Sequence, residues 1–248
     1  TNGAQIIAAS VTTDAQGQAS TTLTNTTAGS STVTATVNGQ AMSVDTTFVA
    51  DVSTARLSVE AAAGSTYNKI NVQVRLVDAY DNPIRGHSVG LHATFGNLGD
   101  MELVTGADGK AMTNVLSNIA GSSTVTAYSM LTPRVSTVIR FIADEGSATI
   151  TWGSPVLNGN SGKVLVAVKD RHGNPLINYA VNFYGHKIEF GPLFFSPHIV
   201  KRTDANGHIL LEFQAANVWA WPPDWLDSSI SSTLWISNRP LGSINITN

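Results

Sequence analysis

There is no cysteine in the 248 residues of this chain. That excludes the inter-sheet disulfide common in small secreted β-sandwiches, and with it any cysteine-based zinc site. The absence fits a cytosolic protein, and equally a chain secreted unfolded through a narrow pore, where a premature disulfide would obstruct passage. Charge is scarce too: Asp, Glu, Lys and Arg make up 12% of the residues, about half the usual share. A formal net charge of −3 provides no electrostatic footprint for nucleic acid. No apolar run approaches the ~18 residues of a membrane-spanning helix, so no direct membrane insertion by this stretch is expected. A signal peptide is not evident either, which would leave any export to something outside the stretch. No segment reads as a convincing helix.

What fills the composition is Thr, Ser, Asn, Gly and Val. Few Lys and Glu with many β-branched residues favour strands with hydroxyl-lined outer faces over long solvated helices. The segment Ser30-Ser31-Thr32-Val33-Thr34-Ala35 recurs as Ser122-Ser123-Thr124-Val125-Thr126-Ala127, and in altered form as Ser231-Ser232-Thr233-Leu234-Trp235-Ile236. The first two copies are 92 residues apart (30 to 122) and the last two 109 (122 to 231). Such a period is long for a solenoid repeat and suits one small sandwich domain.

Two further landmarks repeat in the same order. Asp78-Ala79-Tyr80-Asp81-Asn82-Pro83 and Asp170-Arg171-His172-Gly173-Asn174-Pro175 read as tight reversals, with Asn tolerating left-handed backbone and Pro fixing φ. The strand entering the first alternates Ile70, Val72, Val74 and Leu76 with Asn71, Gln73 and Arg75, so it should be buried on one face. Its counterpart, Val164 to Val168, is apolar throughout and is expected to be covered on both. The other landmark is Thr13-Asp14-Ala15-Gln16-Gly17, Thr105-Gly106-Ala107-Asp108-Gly109 and Thr203-Asp204-Ala205-Asn206-Gly207. Its shared Gly should supply a positive φ, with a strand to follow. Beyond the third, Ile209, Leu211 and Phe213 share one face. Many short strands between turn signals predict an all-β chain of antiparallel sandwiches strung end to end.

The order Asp-x-x-x-Asn-Pro, Thr-Asp-Ala-x-Gly, Ala-Gly-Ser-Ser-Thr-Val-Thr-Ala, closing on Phe48-Val49-Ala50-Asp51 and Phe141-Ile142-Ala143-Asp144, resembles the bacterial immunoglobulin-like (Big-1 type) repeats of the intimin and invasin adhesins. The match is close over residues 1–144 and partial over 145–248. The resemblance implies tandem immunoglobulin-like sandwiches in the passenger of an inverse autotransporter, a virulence-associated adhesin anchored in the outer membrane by an upstream β-barrel. Its distal end would carry receptor binding. Residues 1–51 would be the C-terminal part of an incomplete domain, because only 12 residues precede Thr13 whereas 53 (52 to 104) precede Thr105. Residues 52–144 would be a complete spacer domain and 145–248 a divergent terminal one. Many members of the family end in a lectin-like domain with a disulfide. The last repeat here has no Cys and keeps the immunoglobulin-like landmarks, so no lectin-like site carries over.

The copies differ most in the last repeat. From the landmark Thr to the Ser-Ser-Thr segment takes 17 residues in the first two (13 to 30, 105 to 122) and 28 in the third (203 to 231). The 11 extra residues fall around Asn217 to Asp227, which holds three of the five Trp: Trp219, Trp221 and Trp225. A second expansion adds Ile188 to Pro197, with Phe194 and Phe195. Trp235 replaces Thr34 and Thr126 in the phase expected to face solvent. One reading is a satellite core with Trp235 as floor and Trp219 or Trp221 as lid, since Trp is usually well buried. The other is an aromatic patch for a host surface protein or glycan, led by Trp225 after Pro222-Pro223-Asp224 and shared by Trp219, Trp221, Phe194 and Phe195.

No enzyme or metal pattern is present. The six His residues show no metal-ligand spacing, and no nucleophile elbow, phosphate loop or dinucleotide fingerprint occurs. Structural calcium at the junctions would draw on Asp51, Asp78, Asp81, Asp144, Glu145 and Asp170, but no dense cluster offers the six to eight oxygens that calcium takes. The expectation is a non-catalytic protein without cofactor or metal. Its function would be adhesion by a distal binding module. The alternatives are a structural spacer or weak self-association between cells through exposed β edges, and a carbohydrate-binding accessory module of a secreted enzyme.

Overall fold

The computed structural model describes residues 3–158, 161–185, 188–190, 198–215, 229–236 and 239–247. Strands account for nearly all of the regular structure. The first four are β1 (Gln5–Ile6), β2 (Leu23–Thr24), β3 (Gly29–Val37) and β4 (Gln40–Phe48). Nine follow between residues 56 and 142: β5 (Arg56–Ala61), β6 (Gly64–Ser65), β7 (Ile70–Val77), β8 (Ser88–Ala93), β9 (Asn97–Leu98), β10 (Glu102–Val104), β11 (Lys110–Leu116), β12 (Gly121–Ser129) and β13 (Thr132–Ile142). The remainder are β14 (Thr149–Trp152), β15 (Val156–Asn158), β16 (Ser161–Lys169), β17 (Ala180–Gly185), β18 (Ile188–Phe190), β19 (His198–Arg202), β20 (His208–Ala215), β21 (Ser229–Ile236) and β22 (Arg239–Thr247). The chain divides into two compact units. One comprises residues 1–64, 68–117 and 122–140, the other 65–67, 118–121 and 141–248.

In the first unit β5-β7-β11-β9 form one sheet, and β8 and β12 sit at the centre of a second, ordered β10-β8-β12-β13-β6. The expected alternation of β7 holds: Ile70, Val72, Val74 and Leu76 are buried, while Asn71 is exposed and Gln73 and Arg75 are half-buried. Register carries the pattern across to β11, because opposite residues of an antiparallel pair share a face. Val115 stands opposite Ile70 and Thr113 opposite Val72, whereas Lys110 stands opposite Arg75. In the second sheet Val89, Leu91, Val125 and Ala127 are fully or almost fully buried. The residues before this sandwich behave differently. They form two two-stranded ribbons, β1-β2 and β3-β4, and of residues 3–51 only Ser31 is buried.

In the second unit β14-β16-β20-β18, with β15 on β16, face the sheet β19-β17-β21-β22. Val164, Val166 and Val168 of β16, Ile209, Leu211 and Phe213 of β20, and Val181 and Phe183 of β17 share one core. Trp152 meets Phe183 edge-on, ring centroids 6.1 Å apart and planes at 74°. The β16 strand corrects one expectation. It is not covered on both faces, since Leu165 is 46% exposed opposite Leu210, itself 49% exposed. Each sheet of a sandwich has a single packed face, so an apolar residue in the outward phase stays outside whatever its neighbours are.

The three landmark glycines all have positive φ, at 78° for Gly17, 71° for Gly109 and 73° for Gly207. Strands follow directly at Lys110 and His208. Gly207 is held by packing as well as by φ. A Cβ there would stand 2.6 Å from the Val168 carbonyl oxygen and 2.9 Å from Pro175 Cβ. The glycine of one landmark thus packs under the proline of the other, and Gly109 repeats this against Leu76 O (2.5 Å) and Pro83 (3.1 Å).

Candidate functional site

Trp219, Trp221, Trp225, Phe194 and Phe195 lie outside the described residues, as does the side chain of Trp235. Their flanks are defined. The connection carrying the three Trp runs from Ala215 of β20 to Ser229 of β21, so it spans 13 residues (216–228). Its counterpart between Leu116 of β11 and Gly121 of β12 spans four (117–120). The connection carrying Phe194 and Phe195 spans seven (191–197) between β18 and β19, against three (99–101) between β9 and β10. The Trp235 backbone pairs with Asn182 of β17, and the β21–β22 register shifts between Leu234 and Trp235.

The densest polar geometry is built on the Asp-x-x-x-Asn-Pro turns. In both, the Asp amide donates to the Asn carbonyl, at 3.0 Å for Asp78–Asn82 and 2.9 Å for Asp170–Asn174. The left-handed residue is not the Asn, as its tolerance suggested, but the one before it: Asp81 at φ 64° and Gly173 at φ 83°. The Asn is then free to use its side chain.

Both Asp side chains are 2% exposed, and each divides its work between its two oxygens. Asp78 Oδ1 accepts from the Tyr80 and Asn82 amides at 2.8 and 2.9 Å. Asp170 Oδ1 accepts from His172 and Asn174 at the same distances. Asp78 Oδ2 accepts from the Asn82 side-chain amide at 2.8 Å and the Asp51 amide at 3.1 Å. Asp170 Oδ2 accepts from Asn174 Nδ2 at 2.8 Å, the Thr66 hydroxyl at 2.9 Å and the Asp144 amide at 3.3 Å. The Asn amides reach further. Asn82 Nδ2 donates to the Thr26 carbonyl at 2.9 Å and its Oδ1 accepts from the Ala28 amide at 2.8 Å. Asn174 does the same with Asn118 O at 2.7 Å and Ala120 N at 2.9 Å.

Burial alone would raise the carboxyl pKa of Asp78 and Asp170. The hydrogen bonds outweigh it, led by the Asn side chain, so both are held below the ordinary value. Asp144 is lowered as well, first by the Ser147 hydroxyl and then, against burial, by Arg171 and the Gly146 amide. Asp51 and Asp144 each cap a single 3-10 turn, Val52–Thr54 and Glu145–Ser147. Around the second turn Arg171 Nη2 sits 3.1 Å from Asp144 Oδ2. The Tyr67 ring stacks on His172 at 5.4 Å and lies under the Arg171 guanidinium at 5.5 Å.

The Asp78 and Asp170 oxygens that a hard cation would need are therefore committed to N–H and O–H donors. Among the described residues no group of three or more His, Asp or Glu is placed to hold a metal, and no helix is long and apolar enough to cross a membrane. Thr26, Thr66 and Asn118 gave no warning in the sequence. Thr26 and Asn118 contribute only a carbonyl, which any residue supplies. The available signal was the Ala-Gly pair at 28–29 and 120–121, repeating at the interval that separates the two Asn-Pro turns (82 to 174).

Among solved structures the chain is similar to invasin, a bacterial integrin-binding protein, at 23% identity and a TM-score of 0.55, over 95% of this chain and 48% of that one. It thus spans about half of the invasin chain. The Escherichia coli adhesin FdeC matches at 15% identity and a TM-score of 0.57, covering 89% of this chain and 74% of its own. Yersinia pseudotuberculosis InvD matches at 14% and 0.53, covering 96% and 82%. These likenesses establish the immunoglobulin-like sandwich fold. The sequence profile of the bacterial Ig-like domain (group 1) matches residues 1–49 and 53–142, more than half of the chain, and the protein belongs to that family.

Proposed function

We propose that this chain is a distal passenger segment of a bacterial outer-membrane-anchored adhesin, displayed at the cell surface without catalytic activity. Residues 52–144 act as a complete spacer domain and 1–51 as part of another. The divergent terminal domain, 145–248, attaches to a host surface protein or glycan. One observation carries the reading: the connection before the Ser-Ser-Thr strand grows from four residues (117–120) to 13 (216–228), and the growth is Trp- and Pro-rich. Between strands fixed by the sandwich, such an expansion adds nothing the β ladder requires, and long connections on rigid scaffolds are where binding residues concentrate. Support comes also from the similar structures, of which one is an integrin-binding protein and another an adhesin. The test compares cell binding of the full chain with Trp225→Ala and with deletion of 219–226, each checked for native circular dichroism. Binding should fall at least about tenfold, as for loss of an aromatic hot spot. Unchanged binding by both folded variants would reject the assignment.

A further inference from the structure

The Asp170 carboxylate is more elaborate than its turn needs. Asp204 closes the neighbouring landmark turn with Oδ1 alone, accepting from the Asn206 and His208 amides at 2.8 Å each. Asp14 does the same for Gln16 and Gln18 at 2.9 and 2.8 Å. The Oδ1 atoms of Asp78 and Asp170 reproduce that pattern of donors two and four residues on. Their Oδ2 atoms do something else, receiving amides from Asp51 and Asp144, 27 and 26 residues away. The Asn side chains then pair with a carbonyl and an amide two residues apart in a loop 54 to 56 residues earlier.

We infer that the Asp-x-x-x-Asn-Pro turn is a docking element for the preceding repeat, holding that repeat's loop before its Ala-Gly strand and its closing Asp through their backbone groups, with the Thr66 hydroxyl as one added side-chain donor in the second joint. One carboxylate oxygen closes the turn. The other orients the Asn amide and takes the amide of the closing Asp. The Asn amide completes the joint as a strand would, donating to the carbonyl of one residue and accepting from the amide of the residue two further on. Its partner is thus a conformation rather than a side chain. The same turn accepts Thr26-Thr27-Ala28 in one case and Asn118-Ile119-Ala120 in the other, a chemistry suited to repeats that diverge in sequence while remaining joinable. All the residues of the second joint, including Thr66, Asn118 and Ala120, fall within one compact unit, and Asp170, Asn174 and Thr66 are 2%, 8% and 1% exposed.

Residue-resolved hydrogen exchange by NMR on the full chain tests this. Asp170→Asn keeps an acceptor for the turn but places an NH2 where Oδ2 received donors. The Asp144 and Ala120 amides should then exchange at least about tenfold faster, while the His172 and Asn174 amides stay protected. Asp204→Asn should leave Asp144 and Ala120 unchanged. Asn118→Thr, which imports the residue of the other joint, should preserve protection of Ala120. Unaltered exchange at 120 and 144 in Asp170→Asn overturns the inference, as does equal loss at 172 and 174, which would make the carboxylate a turn residue only. Loss of protection in Asn118→Thr would refute backbone-only recognition of that loop. Should Asp170→Asn not fold, Asn174→Ala retains the carboxylate and must still release Ala120; protection retained there overturns the docking role equally.

Discussion

Gly207→Ala isolates the contact between the two landmarks of the terminal repeat. Among the described residues of that repeat two glycines have positive φ, Gly173 at 83° and Gly207 at 73°, and both would incur the left-handed penalty of about 1–2 kcal/mol for an L-residue. Part of that is offset, because Ala reduces the freedom of the unfolded chain by about 0.4–1 kcal/mol. At Gly173 the account ends there, since a Cβ would meet nothing within 4 Å. At Gly207 the Cβ would stand 2.6 Å from Val168 O and 2.9–3.0 Å from Pro175. Neither neighbour can yield easily, one being a backbone carbonyl and the other a proline ring. That carbonyl belongs to a residue whose amide donates to Gly207 O at 2.8 Å. Forced displacement of this kind adds about 1–3 kcal/mol. The expected totals are about 1 kcal/mol for Gly173→Ala and about 3 kcal/mol for Gly207→Ala. All five Trp lie between residues 152 and 235, so fluorescence-detected urea unfolding reports on the terminal repeat specifically. With a slope near 2 kcal/mol per molar, the Gly207→Ala midpoint should lie roughly 1 M below that of Gly173→Ala. Coincident midpoints would show that φ alone, and not the packing of Gly207 beneath Pro175, accounts for the glycine.

Acid should weaken the fold in a defined direction. Asp78, Asp144 and Asp170 have folded pKa values below the unfolded one, so the unfolded chain binds more protons. Their contribution is complete above the unfolded value near 3.9 and is lost as pH falls through the lower folded values. Thermal midpoints should therefore drop between about pH 4 and pH 2, less steeply in Asp170→Asn, and equal slopes would contradict the assignment. Phe183→Ala, at 1% exposure and edge-on to Trp152, should cost about 3–5 kcal/mol and shift Trp emission; a loss under 1 kcal/mol would mean the core collapses around the gap. Gly90→Val should disturb the second sheet of the first unit, because a Cβ would sit 2.3 Å from the Tyr128 ring. Tyr128→Ala should rescue it, and failure of the rescue would point to a different obstacle.

Much of the fold was legible because its signals are local. The alternation of Ile70 to Leu76, the glycines at 17, 109 and 207, and the Ser-Ser-Thr strands each depend on a few adjacent residues, and period two or positive φ follows from backbone sterics alone. Leu165 misled for the same reason. Its neighbours are apolar, and nothing local records that the outer face of that sheet is uncovered. The turn around Asn174 was placed correctly but its inner geometry was not, since Gly173 takes the left-handed position and leaves Asn174 to bond elsewhere.

The repeat, its 92-residue interval and the expansion before the last copy are properties of the chain in one dimension, and no folding was needed to read them. Which groups meet is different in kind. Asn174 finds Asn118 across 56 residues, and Asn82 finds Thr26 across 56, through peptide groups that every residue carries and no letter of the sequence distinguishes. Backbone recognition leaves no side-chain signature, so the joints between repeats emerged only once the strands had been folded around them.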